Sequence, residues 1–227
     1  MVDPAVREAW DAEYRAGRYA TEPPVPFVDD IVAAARARGI SRGLYIGCGN
    51  GRNFVPLVAA GLDLDGLDVS PSAIRQLAAR LPSSAARLTV GDLSALPPSA
   101  VYPLVLGLQV FQHGDAATCR AHLAEAQRRV VPGGLFGLRV NAVGTELEFR
   151  HEVIEGRPET GYTVRYLDGP KRGLPIHFFG RAELDACWGD AFAPVLALRT
   201  SETVRAPPAR GRWRQWEGIW ERRALDR

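Results

Sequence analysis

The 227 residues are 46% hydrophobic and 24% charged, with a formal net charge of +2. That composition suits one soluble globular domain with a sizeable core and gives no argument for a polyanionic partner. A membrane span is not expected, because no apolar run approaches the ~20 residues that cross a bilayer, and Met1 to Arg18 lacks the apolar centre of a secretion signal.

In chain order, Asp3 to Arg18 reads as a helix with Trp10 and Tyr14 four residues apart on one face, ended by Pro23, Pro24 and Pro26. A second helix runs from Phe27 to Arg38 and stops at Gly39. Strands and helices then alternate. Gly43 to Ile46 is a strand leading through a glycine turn into a helix containing Leu57 and Val58. Leu64 to Val69 is the next strand, and Ser70-Pro71 caps a helix to Arg80. Arg87 to Val90 and the nearly all-apolar Leu104 to Val110 are the third and fourth strands. Asp115 caps a helix from Ala116 to Val130, and Pro132-Gly133-Gly134 turns into a fifth strand, Leu135 to Val140. This rhythm predicts a parallel sheet covered by helices on both faces. Residues 141–178 are charged, glycine-rich and aromatic, without a clear period. Ala182 to Trp188 is helical again, and Ala193 to Val204 with Arg212 to Arg222, joined across Pro207, Pro208 and Gly211, closes the sheet as a hairpin. Cys48, Cys119 and Cys187 are widely spaced and odd in number, so neither a disulfide framework nor a metal site is expected, and a reducing cytoplasm is favoured.

The informative stretch is Leu44-Tyr45-Ile46-Gly47-Cys48-Gly49-Asn50-Gly51-Arg52-Asn53. A glycine turn between strand and helix lets the backbone approach a ligand, and the helix start offers unpaired N–H groups. The dinucleotide fingerprint needs its third glycine three places after the second. Here Gly51 comes two places after Gly49 and Arg52 stands where that glycine belongs, which opposes a nicotinamide enzyme. Two carboxylates end successive strands. Asp68 can accept both hydrogen bonds of a ribose diol, and Asp92 can accept from an adenine amino group while Leu93 packs on the ring.

The spacing G-x-G-x-G resembles motif I of the class I S-adenosylmethionine-dependent methyltransferases, and Val130 to Leu135 matches the proline-glycine-glycine turn before their fifth strand. The run Gly47 to Asn53 resembles the tellurite-resistance methyltransferases, and Trp10-Asp11-x-x-Tyr14 resembles relatives of thiopurine methyltransferase. The resemblance implies a Rossmann-like α/β fold with a seven-stranded, mostly parallel sheet and a C-terminal antiparallel hairpin. It implies S-adenosyl-L-methionine as cofactor, with S-adenosyl-L-homocysteine as product. One methyltransferase domain, 1–227, is expected: an N-terminal helical cap (1–40), a cofactor-binding core (41–140), a substrate lid (141–180), and a closing helix and hairpin (181–227). The cofactor-binding residues expected are Trp10, Tyr14 and Tyr19; Gly47, Cys48, Gly49, Asn50 and Gly51; Asp68, Val69 and Ser70; Gly91, Asp92, Leu93 and Gln109. The chain departs from the family at Tyr45, where an acid usually reaches the methionine amino group, and at Tyr102-Pro103, where aromatic-Asp is usual.

Methyl transfer needs positioning and dryness more than a triad, and none is visible. His113 and His177 are the candidate catalytic residues, His113 as a general base after the fourth strand or as the closure of a loop. Arg139 and Arg165 are candidates for binding the acceptor. Arg210, Arg212, Arg214, Arg222 and Arg223 interleave with Trp213, Trp216 and Trp220, a pattern that can bind nucleic acid; an edge hairpin with packed tryptophans is preferred. The expected acceptor is a small molecule with an oxygen, sulfur, nitrogen or metalloid nucleophile, with no nucleic-acid or membrane partner. The alternatives are a nucleic-acid methyltransferase, which the lack of an Asp/Asn-Pro-Pro-aromatic or Pro-Cys motif opposes, and a non-catalytic cofactor-binding module.

Overall fold

Strands that are apolar on both sides must be covered on both sides, and among the described residues ten strands and six helices build the fold that does so for the central ones. The computed structural model describes residues 4–205, 207 and 209–224; Asp3, the expected start of the first helix, and Pro208 lie outside the described residues. Two helices open the chain, α1 (Pro4–Arg15) and α2 (Phe27–Ala37). They are followed by β1 (Arg42–Ile46), α3 (Phe54–Ala59), β2 (Asp63–Asp68), α4 (Pro71–Arg80), β3 (Leu88–Val90), β4 (Tyr102–Leu108), α5 (Ala116–Arg128) and β5 (Val130–Asn141). Then come β6 (His151–Arg157), β7 (Gly161–Tyr166), β8 (Pro175–Phe179), α6 (Arg181–Trp188), β9 (Phe192–Val204) and β10 (Arg212–Arg222).

The main sheet has seven strands in the order β3-β2-β1-β4-β5-β10-β9. The first five run parallel, while β10 is antiparallel to both β5 and β9. Strand order reverses between β1 and β4, the switch point outside whose carboxyl ends such sheets bind ligands. Successive β1 residues serve opposite faces. Leu44 joins a core with Phe136, Trp188 and Trp220, and Tyr45 joins one with Phe27, Ile31 and Phe54. Trp188 stacks on Trp220 with ring centres 3.7 Å apart. Arg212 and Arg214 pair with Glu146 and Glu202. Among the described residues no helix is long and apolar enough to cross a membrane.

Four details differ from expectation. Helix α1 ends at Arg15, short of Arg18. Strand β4 ends at Leu108, because Gln109 takes a left-handed φ of 63°. Pro132-Gly133-Gly134 lies within β5, with an irregular register against β4 between Tyr102 and Leu104. The largest difference is in 141–178, which is not irregular but forms a second, antiparallel sheet in the order β6-β7-β8. Its period was hidden because β6 is exposed along its whole length, while three successive residues of β7, Tyr162-Thr163-Val164, are all buried. Tyr162, Val164, Ile176 and Phe178 form its own small core. Bridges from Ile176 to His113 and from Phe179 to Ala142 fasten it beside the loop after β4.

Candidate active site

The carboxyl end of β1 runs into a turn that only glycine permits at two points. At Gly47 (φ +70°) a Cβ would lie 2.6 Å from Val110, and at Gly49 (φ +56°) 2.5 Å from the Tyr14 hydroxyl. Asp68, at the end of the adjacent β2, holds this turn. Its Oδ2 accepts from the Gly49 N–H at 2.8 Å and its Oδ1 from the Ser70 N–H at 2.9 Å. Burial raises the Asp68 pKa to about 6; the two backbone bonds oppose the rise and the charge of Asp11 adds to it. Beyond β3, Asp92 caps a short 3-10 turn, with Oδ1 accepting from the Ser94 N–H at 2.9 Å.

Helix α1 lies against these strand ends. Asp11 fixes it, accepting from the Ser70 hydroxyl (2.6 Å), the Ser72 N–H (2.8 Å) and the Ser72 hydroxyl (3.1 Å) at the start of α4. The Gln76 amide donates to the Tyr14 carbonyl at 2.8 Å. Val6, Trp10 and Tyr14, four residues apart, present one face of α1 to a cavity of about 570 Å³. Ile46, Gly47, Leu67, Asp68, Val69, Gly91, Asp92, Leu93 and Ser94 line it from the strand ends. Gln109, Val110, Phe111, His113 and Gly114 line it from the loop after β4, and Thr118, His122, Glu125 and Arg129 from α5.

Residues 44–134 match the family model of a methyltransferase domain, so the cavity lies at the glycine turn and paired carboxylates of that domain. The chain carries a methyltransferase domain, on a fold shared with S-adenosylmethionine-dependent methyltransferases. Solved structures agree on the fold. A 1,6-didemethyltoxoflavin-N1-methyltransferase of Burkholderia thailandensis, crystallised with 1,6-didemethyltoxoflavin and S-adenosylhomocysteine, is similar at 19% identity. The similarity covers 99% of this chain and 92% of that one, with a TM-score of 0.69. TehB of Haemophilus influenzae is similar at 15% identity over 94% of this chain and 67% of its own, with a TM-score of 0.62. CalS10, an amino pentose methyltransferase of Micromonospora echinaspora, is similar at 18% identity over 98% of both chains, with a TM-score of 0.55. No curated protein matches the sequence.

The methyltransferase's cavity fits its cofactor in chemistry as well as position. Two carboxylates, Asp68 and Asp92, stand along one wall beside Gly47, whose N–H donates to the Leu67 carbonyl at 2.7 Å. Other residues of the motif serve the turn rather than the cavity wall. Cys48 points into the core beside Phe54, and burial pushes its thiol pKa well up. Asn50 bonds with Gln76 and Arg80, and Gly51 packs against Leu77. Ser70 caps α4 and holds Asp11. Tyr19 stands behind the wall, its ring tilted against Trp10 and Tyr14. Tyr45 faces away from the cavity altogether. It is buried against Phe54 and its hydroxyl accepts from the Asn53 amide at 3.2 Å, so an acid at this position would not reach the cavity.

The expected transfer residues separate. His113 lines the cavity, edge-on to Trp10 with ring centres 4.6 Å apart. Its Nε2–H donates to the Gln109 carbonyl at 3.1 Å, which fixes the tautomer and leaves Nδ1 as an acceptor. Burial, aided by the nearby Lys171 charge, lowers its pKa to about 3 against the pull of the Gln109 bond. A neutral ring that resists protonation is a hydrogen-bond acceptor rather than a general base.

His177, Arg139 and Arg165 are corrections, because none lines the cavity. His177 is buried between the Thr163 hydroxyl (2.9 Å) and Glu183 Oε2 (3.0 Å), tying β7 and β8 to α6. Arg139 points into the sheet's α2-side core, where its Nε donates to Glu217 Oε1 at 2.7 Å and both side chains are 4% exposed. Arg165 is exposed and pairs with Glu152. Val6, Thr118, His122, Glu125 and Arg129 were not foreseen. Val6 carried a signal in the sequence, one turn before Trp10 on the same helical face; the α5 residues carried none without the sheet to orient them.

Proposed function

We propose that this methyltransferase transfers its methyl group to a small-molecule acceptor, held between α1, the loop after β4, and the second sheet. The observation that supports this most is the face of α1 over the strand ends. Val6, Trp10 and Tyr14 stand opposite Gly47, Asp68 and Gln109 and leave a compact, largely apolar cavity of about 570 Å³, within the usual range for small-ligand sites. Solved relatives of the same fold bear the names of small-molecule methyltransferases.

In this reading Asp68 holds the ribose diol, and Asp92 accepts from the adenine amino group while Leu93 packs on the ring. The Gly47 backbone and Gln109 hold the methionine end. S-adenosylmethionine, when bound, supplies a methyl group already activated on sulfonium. The protein's own contribution is positional, and alignment of two reactants supplies up to ~7–11 kcal/mol of a barrier. The left-handed backbone of Gln109 is held by two bonds: its N–H donates to the Arg139 carbonyl at 2.6 Å and its carbonyl takes the His113 ring. That fixed turn aims Gln109 and His113 at the acceptor, while Trp10, Val110 and Phe111 exclude water. Residues 1–40 act as the cap and 141–180 as the acceptor-side cover.

The test is calorimetry with S-adenosylhomocysteine and NADP, followed by a turnover screen that reads S-adenosylhomocysteine release. The first should bind at micromolar strength and NADP should not. Turnover should appear with members of a small-molecule panel and not with RNA or DNA oligonucleotides. Turnover on oligonucleotides alone overturns the proposal.

A further inference from the structure

The loop after β4 begins where a ladder breaks. Strand β4 runs parallel to β5 with Leu108 beside Arg139, and the Gln109 N–H still donates to the Arg139 carbonyl at 2.6 Å. In a parallel pairing the next rung would run from the Asn141 N–H to the Gln109 carbonyl. That carbonyl has turned away. Gln109 is left-handed, with a φ of 63°, and its carbonyl takes the His113 ring at 3.1 Å instead. A side chain completes the rung: the Asn141 N–H donates to Gln112 Oε1 at 2.8 Å. Gln112 and Asn141 are 2% and 4% exposed, so water is no substitute for that oxygen, and a buried backbone donor must be met within the protein. The main chain of Gln112 belongs to the second sheet. Its carbonyl accepts from the His177 N–H at 2.9 Å, and two residues on, the Gly114 N–H donates to the Pro175 carbonyl at 3.0 Å. Gln112 therefore joins the two sheets, side chain to β5 and main chain to β8, between Gln109 and His113 on one side and Gly114 on the other, which line the cavity.

We propose that Gln112 is a positioning residue: its side-chain oxygen stands in for the Gln109 carbonyl in the β4–β5 ladder, which frees that carbonyl to hold His113 and keeps Gln109 in the turn that lines the cavity. The effect reaches the cofactor through Gln109, and it rests on the reading above that Gln109 holds the methionine end. A left-handed backbone is unfavourable for a residue with a Cβ and persists only where its surroundings fix it. Without the Gln112 oxygen, the buried Asn141 N–H competes for the Gln109 carbonyl, because leaving a buried donor unmet is costly. Restoring that rung draws residue 109 back toward extended strand. The His113 ring then loses its acceptor, and the Gln109 side chain leaves its present line.

The test compares S-adenosylhomocysteine with methylthioadenosine, which has the same nucleoside and sulfur but no amino-acid end. Gln112→Met keeps the length of the side chain and removes the oxygen. By calorimetry it should weaken S-adenosylhomocysteine about tenfold and leave methylthioadenosine within about threefold. Gln112→Glu, which keeps an acceptor oxygen, should recover most of the loss. Gln109→Ala should show the same selective loss, and adding Gln112→Met to it should cost nothing more, since the two act as one unit. Without any ligand, nitrogen NMR of the His113 ring, assigned with His113→Asn, should show the Nε2–H tautomer alone in the wild type and in Gln112→Glu, and a mixture of tautomers in Gln112→Met. A merely structural role would lower stability in denaturant but move neither the ratio of the two affinities nor the tautomer of the folded protein. Equal loss of both ligands, or an unchanged ring in Gln112→Met, overturns the proposal. If Gln109→Ala leaves S-adenosylhomocysteine affinity unchanged, it is the methionine-end reading of Gln109 that falls, and the ring signal alone decides the role of Gln112.

Discussion

The two ends of the cavity are built in different ways. The end at the glycine turn is made at strand termini, each residue lying next to its own strand in the chain. Asp68 orients the Gly49 and Ser70 N–H groups, and Asp92 caps the turn that follows it. The other end is assembled from two remote segments, Trp10 on α1 and Gln109 to His113 after β4. The lesson is one of support. The first end is fixed by the backbone of the parallel sheet, whereas the second depends on how α1 docks against the loop after β4.

The largest effect that sharpens this contrast lies outside both ends. Arg139→Ala strands Glu217 in the core with only Arg199 nearby at 3.4 Å. Denaturant unfolding should show a loss of about 3–5 kcal/mol, the usual cost of breaking a buried pair, while the folded fraction still binds S-adenosylhomocysteine. Normal stability with lost turnover would return Arg139 to the acceptor site. Next, Asp68→Ala should weaken S-adenosylhomocysteine by ~1.5–3 kcal/mol by calorimetry; unchanged affinity would move the ribose contact elsewhere and erase the distinction between the ends.

The pH response should divide them too. The pKa of Asp68 is raised from 3.8 to about 6 in the folded protein. Its contribution to stability is therefore full below pH 3.8 and lost as pH rises through about 6. Ligand binding runs the other way, because a diol donates best to the ionised carboxylate. S-adenosylhomocysteine affinity should fall below about pH 6, by at most about tenfold per pH unit, and Asp68→Asn should flatten the curve. His113, with its pKa near 3, should add no limb to a turnover profile between pH 5 and 8. A limb that disappears in His113→Asn would restore it as a base. The smallest effect is expected at Arg165, whose pair with Glu152 is about half exposed on both sides. Arg165→Ala should change stability by less than about 1 kcal/mol and turnover by less than twofold. A larger loss of turnover would extend the acceptor end onto the outer face of β7.

What was legible in the sequence follows the same division. The glycine turn, Asp68 and Asp92 could be read because each signal is local, a strand followed at once by its loop. The Trp10–Tyr14 face could be read from helical spacing. The settings of Arg139 and His177, away from the cavity, were not legible, because what a charge or an imidazole does depends on its partner. The partner of Arg139 is 78 residues away, across the β5–β10 pairing, and His177 meets Glu183 only because β8 turns into α6. The second sheet escaped notice because neither β6 nor β7 alternates in burial.

The place of β10 inside the main sheet carries a consequence for how the molecule is made. Although it is the last strand in chain order, it pairs on one side with β5 and on the other with β9. As the chain emerges during synthesis, β1 to β5 can associate, but β5 keeps an open edge and β9 has no neighbour until β10 arrives. The glycine-turn end can thus begin to form early, while the sheet closes only when pairings of long sequence separation are made, the kind that slow folding and expose unpaired strands to aggregation. Trp216 and Trp220, carried by that late strand and both buried, make its arrival visible. Their fluorescence should change in the final phase of refolding, after much of the parallel sheet has formed.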